Sequence, residues 1–237
     1  MAATVVLVHG AWHGAWCWEK VVGRLRDDGV PVLAVDLPGH GDSREALGDL
    51  AVDAAALRST LDGLDEAVVC GHSYGGAVVG EAGVHPAVRH LVFVSAIVLA
   101  PGESCQGSVT PAEPVEPSLL ADGLRVGDDG TVTVDPVVAV PAFYHDCSPA
   151  DVERALPRLG PQRVDSLHTP ARGAAWRERP STYAVCRDDR ALPPGLQRAF
   201  ARRATEVVEW PTSHSPFLSR PELVTALLAA RARAVES

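Results

Sequence analysis

Val68-Val69-Cys70-Gly71-His72-Ser73-Tyr74-Gly75-Gly76-Ala77-Val78-Val79 joins three signals in one short stretch. A β-branched apolar run closes on a G-x-S-x-G pattern, and small and apolar residues follow at helical density. That is the sequence of a strand turning sharply into a helix, with a serine held at the apex of the turn. The flanking glycines are needed because side chains there would collide with the strand and the helix. Ser73 is therefore the candidate nucleophile.

The same strand–turn–helix rhythm extends in both directions. Residues 5–8, 32–35, 68–70 and 91–94 are continuous apolar runs, the pattern of strands buried on both faces of a parallel sheet. Helical patterns lie between them at 18–28, ending before Gly29 and Pro31, and at 50–61, stopping at Gly63. The rhythm fails from 101 to 180, a Pro-, Gly- and Ser-rich stretch with helical periodicity clear only around 149–159. It is too long for a loop and is expected to be an inserted subdomain. Strands resume at 182–186 and 206–210, with helices at 196–203 and 221–235. The expected architecture is α/β, with about six mostly parallel strands flanked by helices. Residues 1–100 and 181–237 make one discontinuous core, and 101–180 fold over it as a cap.

In open parallel sheets ligands bind beyond the carboxyl ends of the strands, so those junctions are where chemistry is expected. A serine hydroxyl needs a base to take its proton during attack, and imidazole suits that task near neutral pH. Of nine histidines, His214 follows the last strand and precedes the last helix. His9, His13, His40 and His72 lie at earlier junctions and are expected around the site. The acid that orients the imidazole is sought after the 182–186 strand, where Asp188 and Asp189 stand side by side. Asp189 is favoured because two residues beyond the strand let a loop turn toward His214, and Asp188 is the alternative. Asp36 precedes Ser73 in the chain and is expected to brace its own loop.

Negative charge developing on a carbonyl oxygen must be met by preorganised N–H donors. The small residues after the first strand, in Val8-His9-Gly10-Ala11-Trp12-His13-Gly14, allow close backbone approach, and the amides of Ala11 and Tyr74 are assigned this role. Gly10, Trp12, His13, Phe143 and Tyr144 are the candidate pocket residues. At least two of Trp12, Trp16 and Trp18 are expected to pack the following helix. Phe143-Tyr144-His145-Asp146-Cys147 lacks zinc-ligand spacing and reads as a cap segment over the pocket.

Composition narrows the remaining classes. Among 237 residues, 46% are hydrophobic and 22% charged, enough apolar material for a large core and unlike a disordered chain. A net charge of −9 argues against binding a phosphate backbone, so nucleic acid is not an expected partner. Apolar stretches break well before the roughly 18 residues of a membrane span, and no membrane partner is expected. Five widely spaced cysteines, without a C-x-x-C pair or zinc spacing, fit reduced thiols. With no signal-peptide pattern at the start, the expected location is cytoplasmic. No cofactor and no metal are expected; the partners are a small-molecule ester or lactone and, at most, a second copy in a homodimer.

Five segments carry a resemblance: VLVHGAWHGAWCW, DLPGHGDS, GHSYGG, VCRDDRALPPGLQ and SHSPFLSRPELV. Together they resemble the α/β-hydrolase superfamily, and within it the branch of plant methylesterases, plant hydroxynitrile lyases and bacterial esterases. The resemblance covers nearly the whole chain and is weakest between 101 and 180. It implies the α/β-hydrolase fold, Ser73 as nucleophile, Asp189 as acid, His214 as base, and the Ala11 and Tyr74 amides as the oxyanion hole. Hydroxynitrile lyases of this branch carry Thr where this chain has Gly10 and Lys where it has Ser215, so lyase activity is disfavoured. Methylesterases usually carry an apolar residue at Ser215, which leaves the substrate open. The function implied is a serine hydrolase acting on small carboxylic esters or lactones. Its alternatives are a receptor-like binding protein with slow turnover, and a tailoring enzyme performing hydrolysis, acyl transfer or carbon–carbon cleavage.

Overall fold

The computed structural model describes residues 2–106 and 116–235, and the statements below concern these residues. The chain begins with β1 (Thr4–Val8), a 3₁₀ turn (Ala15–Trp18), α1 (Glu19–Asp27), β2 (Val32–Val35), α2 (Leu50–Leu61), β3 (Ala67–His72), α3 (Tyr74–Ala82) and β4 (Val88–Val94). An excursion follows: β5 (Leu124–Val126), β6 (Thr131–Val134), α4 (Pro136–Phe143), α5 (Pro149–Ala155), β7 (Gln162–Arg163) and α6 (Val164–His168). The chain then re-enters the sheet with β8 (Ser181–Cys186), α7 (Pro194–Ala201), β9 (Glu206–Trp210), α8 (Pro216–Ser219) and α9 (Pro221–Ala234).

Six strands form one sheet in the order β2-β1-β3-β4-β8-β9, every neighbouring pair parallel. The apolar runs of β1, β3 and β4 have the cause inferred from sequence, since nearly all their residues are buried with helices on both faces; the run of β2 does not, because β2 lies at the sheet edge with Leu33 exposed and Ala34 and Val35 half-buried. Burying each such Val or Leu contributes about 1.5–3 kcal/mol, the main source of the sheet's stability. The chain passes from β1 outward to β2 and then back across β1 to β3. Loops leaving β1 and β3 therefore diverge, and a crevice opens between them at the carboxyl edge.

Helix boundaries follow local chemistry. Asp49 caps α2 by accepting from the amides of Ala51 and Val52, both at 3.0 Å. The helix expected at 196–203 starts two residues earlier, with Pro194 at its first turn, where a missing N–H costs nothing. The one expected at 149–159 tightens to a 3₁₀ turn over Leu156–Arg158, since Pro157 cannot continue the α-helical ladder.

The excursion contains more regular structure than its sequence suggested. β5, β6 and β7 make a separate antiparallel sheet, and α4 is an apolar helix with Pro141 inside it. It is tied to the carboxyl-edge loops. Trp12 Nε1 donates to Val132 O at 2.9 Å, the Gly160 amide donates to Trp12 O at 2.8 Å, and the Ser118 hydroxyl donates to Ala191 O at 2.6 Å.

Candidate active site

β3 passes into α3 through Ser73, whose φ of 52° and ψ of −122° lie outside the ordinary L-residue regions. Such strain persists only where the surroundings over-determine it. Two contacts do so here: the Gly76 and Ile97 amides both donate to Ser73 O, at 3.0 and 2.9 Å. The flanking glycines are sterically required. A Cβ on Gly71 would sit 2.5 Å from Gly75 O, and one on Gly75 would sit 2.5 Å from His9 O. Among the described residues the Ser73 hydroxyl makes no hydrogen bond to protein, and it borders a cavity of about 320 Å³.

His214 borders the same cavity from the loop after β9. Three residues hold that loop. His72 Nε2 donates to His214 O at 2.8 Å, Asp146 accepts from the Ser213 amide at 2.8 Å and from its hydroxyl, and the Phe143 ring stacks on the imidazole at 5.5 Å. His214 Nδ1 lies 2.7 Å from Asp189 Oδ2, an acceptor, so the proton sits on Nδ1 and Nε2 is the nitrogen left for proton transfer.

Asp189 is buried, whereas Asp188 is exposed and only its backbone is engaged, through Thr212 O. Five donors converge on the Asp189 carboxylate. Oδ1 accepts from the amides of Ala191 at 2.7 Å and Leu192 at 2.9 Å; Oδ2 accepts from Ser95 Oγ, from Gln197 Nε2 at 3.0 Å and from His214.

Ala11 and Tyr74, the residues whose amides were expected to serve as the N–H donors, both line the cavity. Tyr74 opens α3, where the first amides have no intrahelical acceptor. The pocket expectation needs correction. Of Gly10, Trp12, His13, Phe143 and Tyr144, only Trp12 lines the cavity. Gly10 lies behind Ser73, where an added Cβ would be 2.8 Å from Ser73 Cβ. His13, Phe143 and Tyr144 are buried in an aromatic cluster: the Tyr144 hydroxyl donates to His13 Nε2 at 2.7 Å, and His13 Nδ1 donates to Ala11 O at 2.9 Å. The walls are instead aliphatic, with Leu120, Leu124, Leu167, Leu192 and Leu196 prominent, and no Lys or Arg among the described lining residues. Asp36 braces its loop by accepting from the Ala15 and Asp42 amides.

The remaining histidines of the early junctions also lie off the cavity. Burial and mutual repulsion lower His9 to about 3 and, with the His214 charge, His13 to about 4; burial also lowers His40 and His72. Cys105 borders the cavity, but burial pushes its thiol up to about 12, so it does not compete as a nucleophile. All five cysteines are free. Among the described residues no group of three His, Cys, Asp or Glu side chains could hold a metal ion, and no helix is long and apolar enough to cross a membrane.

Three polar residues at or near the site escaped the sequence reading. Ser95 stands one residue past β4, a junction as eligible as the others. Gln197 gave no signal within its amphipathic helix. Asp53 did: it falls on the buried stripe of α2 with Leu50, Ala54, Leu57 and Leu61. Its Oδ2 accepts from the Tyr74 hydroxyl at 2.5 Å, its Oδ1 has no partner, and burial raises it to about 7.

A family model described as "Alpha/beta hydrolase family" matches residues 5–227. The alpha/beta hydrolase nvfD of Aspergillus novofumigatus is 31% identical over 94% of both chains. A putative chloroplastic methylesterase 15 of Arabidopsis thaliana is 28% identical over 94% of this chain and 55% of its own. Among solved structures, a pyrethroid hydrolase from Sphingobium faniae superposes with a TM-score of 0.87 at 26% identity, covering both chains completely.

Proposed function

Since the chain belongs to the alpha/beta hydrolase family, we propose that it is a serine hydrolase cleaving small carboxylic esters or lactones through an acyl-enzyme. The observation that carries this reading is Ser73, strained at the head of α3, bordering one cavity with His214, whose Nδ1 is bound to buried Asp189. The esterase and hydrolase names among its relatives support the same chemistry.

In this mechanism substrate fills the aliphatic cavity and brings its carbonyl carbon to Ser73 Oγ. His214 Nε2 takes the hydroxyl proton as the carbon–oxygen bond forms, and Asp189 stabilises the resulting imidazolium. The Ser73–His214 hydrogen bond closes in the complex, as such bonds often do. The Ala11 and Tyr74 amides meet the charge on the tetrahedral oxygen. His214 then protonates the leaving alkoxide, and water attacks the acyl-enzyme by the reverse route. Residues 101–180 act as a cap that contributes Leu120, Leu124 and Leu167 to the wall, sharing it with the loops that follow β1, β3, β4 and β8, and the absence of Lys and Arg from the described lining suits uncharged substrates.

The test is hydrolysis of p-nitrophenyl acetate by Ser73→Ala. Turnover is expected to fall by about three orders of magnitude or more, while melting temperature changes little. Undiminished turnover refutes the proposal.

A further inference from the structure

Ser95 sits between the two halves of the candidate site. It is fully buried and adopts φ of 42°, the left-handed region that a side chain other than glycine's enters at a cost. The segment around it is pinned from both sides. On the nucleophile side, the Ser73 amide reaches Val94 O at 3.4 Å and Ser73 O accepts from Ile97 N. On the acid side, the Ser95 amide donates to Ala184 O at 3.0 Å, and the Tyr183 hydroxyl bonds both the N–H and the C=O of Ala96. The strained backbone aims one group: Ser95 Oγ donates to Asp189 Oδ2 and lies 3.3 Å from His214 Nδ1.

The two carboxylate oxygens of Asp189 have different partners. Backbone amides hold Oδ1 and so fix the loop, while Oδ2, the oxygen that meets the imidazole, is held by the side chains of Ser95 and Gln197. We propose that Ser95 is a positioning residue: its hydroxyl sets the direction of Asp189 Oδ2 and tempers the charge that Oδ2 presents to His214. The inference rests on the serine-hydrolase reading.

Its consequence is a shift with a definite sign. Without the Ser95 donor, Oδ2 carries more of its charge toward His214, which then holds its proton to higher pH. The other ionisable groups near this pair are His72 on β3, His13 after β1, Tyr183 and Cys186 on β8, and the Asp146 carboxylate, which holds the Ser213 amide and hydroxyl beside His214. Burial keeps His72 and His13 neutral and Tyr183 and Cys186 protonated through the working range, so none of these four titrates with it.

The experiment measures kcat, KM and the pH profile of kcat/KM on p-nitrophenyl acetate for Ser95→Ala and Ser95→Gly, with Ser73→Ala alongside. The glycine variant removes the hydroxyl while relieving the backbone, so it folds even if the alanine variant does not. Expected are a loss of about tenfold in kcat with KM within about twofold, and an acid limb moved up by about half a pH unit or more in both. A limb that stays in place or moves down overturns the proposal, whatever happens to kcat. If Ser73→Ala retains activity, it is the serine-hydrolase reading that fails, and the two failures are thereby distinguished.

Discussion

Asp188 and Asp189 are adjacent in sequence and alike in chemistry, and only the third dimension separates them. One faces solvent, and the other is buried under five donors. Asp189→Asn is expected to lower kcat by about three to four orders of magnitude, because an amide leaves the imidazole in the wrong tautomer. Asp188→Asn should stay within about threefold. Parallel esterase kinetics on the two variants check this, and a larger loss at Asp188 would overturn the assignment. Ser73 and His214 were legible because local pattern and chain order single them out. Ser95 was not, since its importance lies in contacts to residues far along the chain.

Helix α2 carries a carboxyl on its buried stripe, which makes its docking on α3 depend on pH. Asp53 has an ordinary value near 3.8 and is raised to about 7 in the fold, chiefly by burial. A raised carboxyl favours folding least when it must ionise: its penalty is absent below pH 3.8, grows by about 1.4 kcal/mol per pH unit, and levels off above 7. Asp53→Asn keeps an acceptor for the Tyr74 hydroxyl and removes that penalty. The variant should gain more stability at pH 8 than at pH 5, by a few kcal/mol in chemical denaturation, and an equal gain at both would contradict the account. The excursion shows why some elements were read and others missed. Asp129-Gly130 turns β5 into β6, with the Gly127 amide bonded to Thr131 O, and Asp135-Pro136 caps α4. Both are ordinary start and turn signals. They were masked by very short strands and by Pro141 in an all-apolar run, which suits neither a two-residue nor a 3.6-residue period.

The molecule encloses a group of buried imidazoles near the carboxyl edge of the sheet. His9, His13, His40 and His72 surround the loops at the carboxyl edge, and burial lowers all four. A lowered histidine lets the unfolded chain, with values near 6.5, bind protons that the native state refuses. Stability is therefore full above about pH 6.5 and is lost as pH falls toward the native values, by about 1.4 kcal/mol per unit for each. Against a total of about 5–15 kcal/mol, His9 and His13 alone, at about 3 and 4, remove several kcal/mol by about pH 4, and His40 and His72 act in the same direction. Far- and near-ultraviolet circular dichroism should report a cooperative acid transition between about pH 4 and 6, and native spectra at pH 3 would contradict it. The number of strands was legible, four as continuous apolar runs and two from the resumed alternation; their order in the sheet was not, nor was the docking of the stretch between β4 and β8, whose polar ties reach loops that are distant in sequence. What unites the sheet, the loops and the cavity is the claim that Ser73 becomes covalently acylated. A fluorophosphonate probe followed by peptide mass spectrometry tests it directly. The account predicts a single adduct on the peptide carrying Ser73, lost in Ser73→Ala and strongly slowed in His214→Ala; an adduct elsewhere, or none on the folded protein, would contradict it.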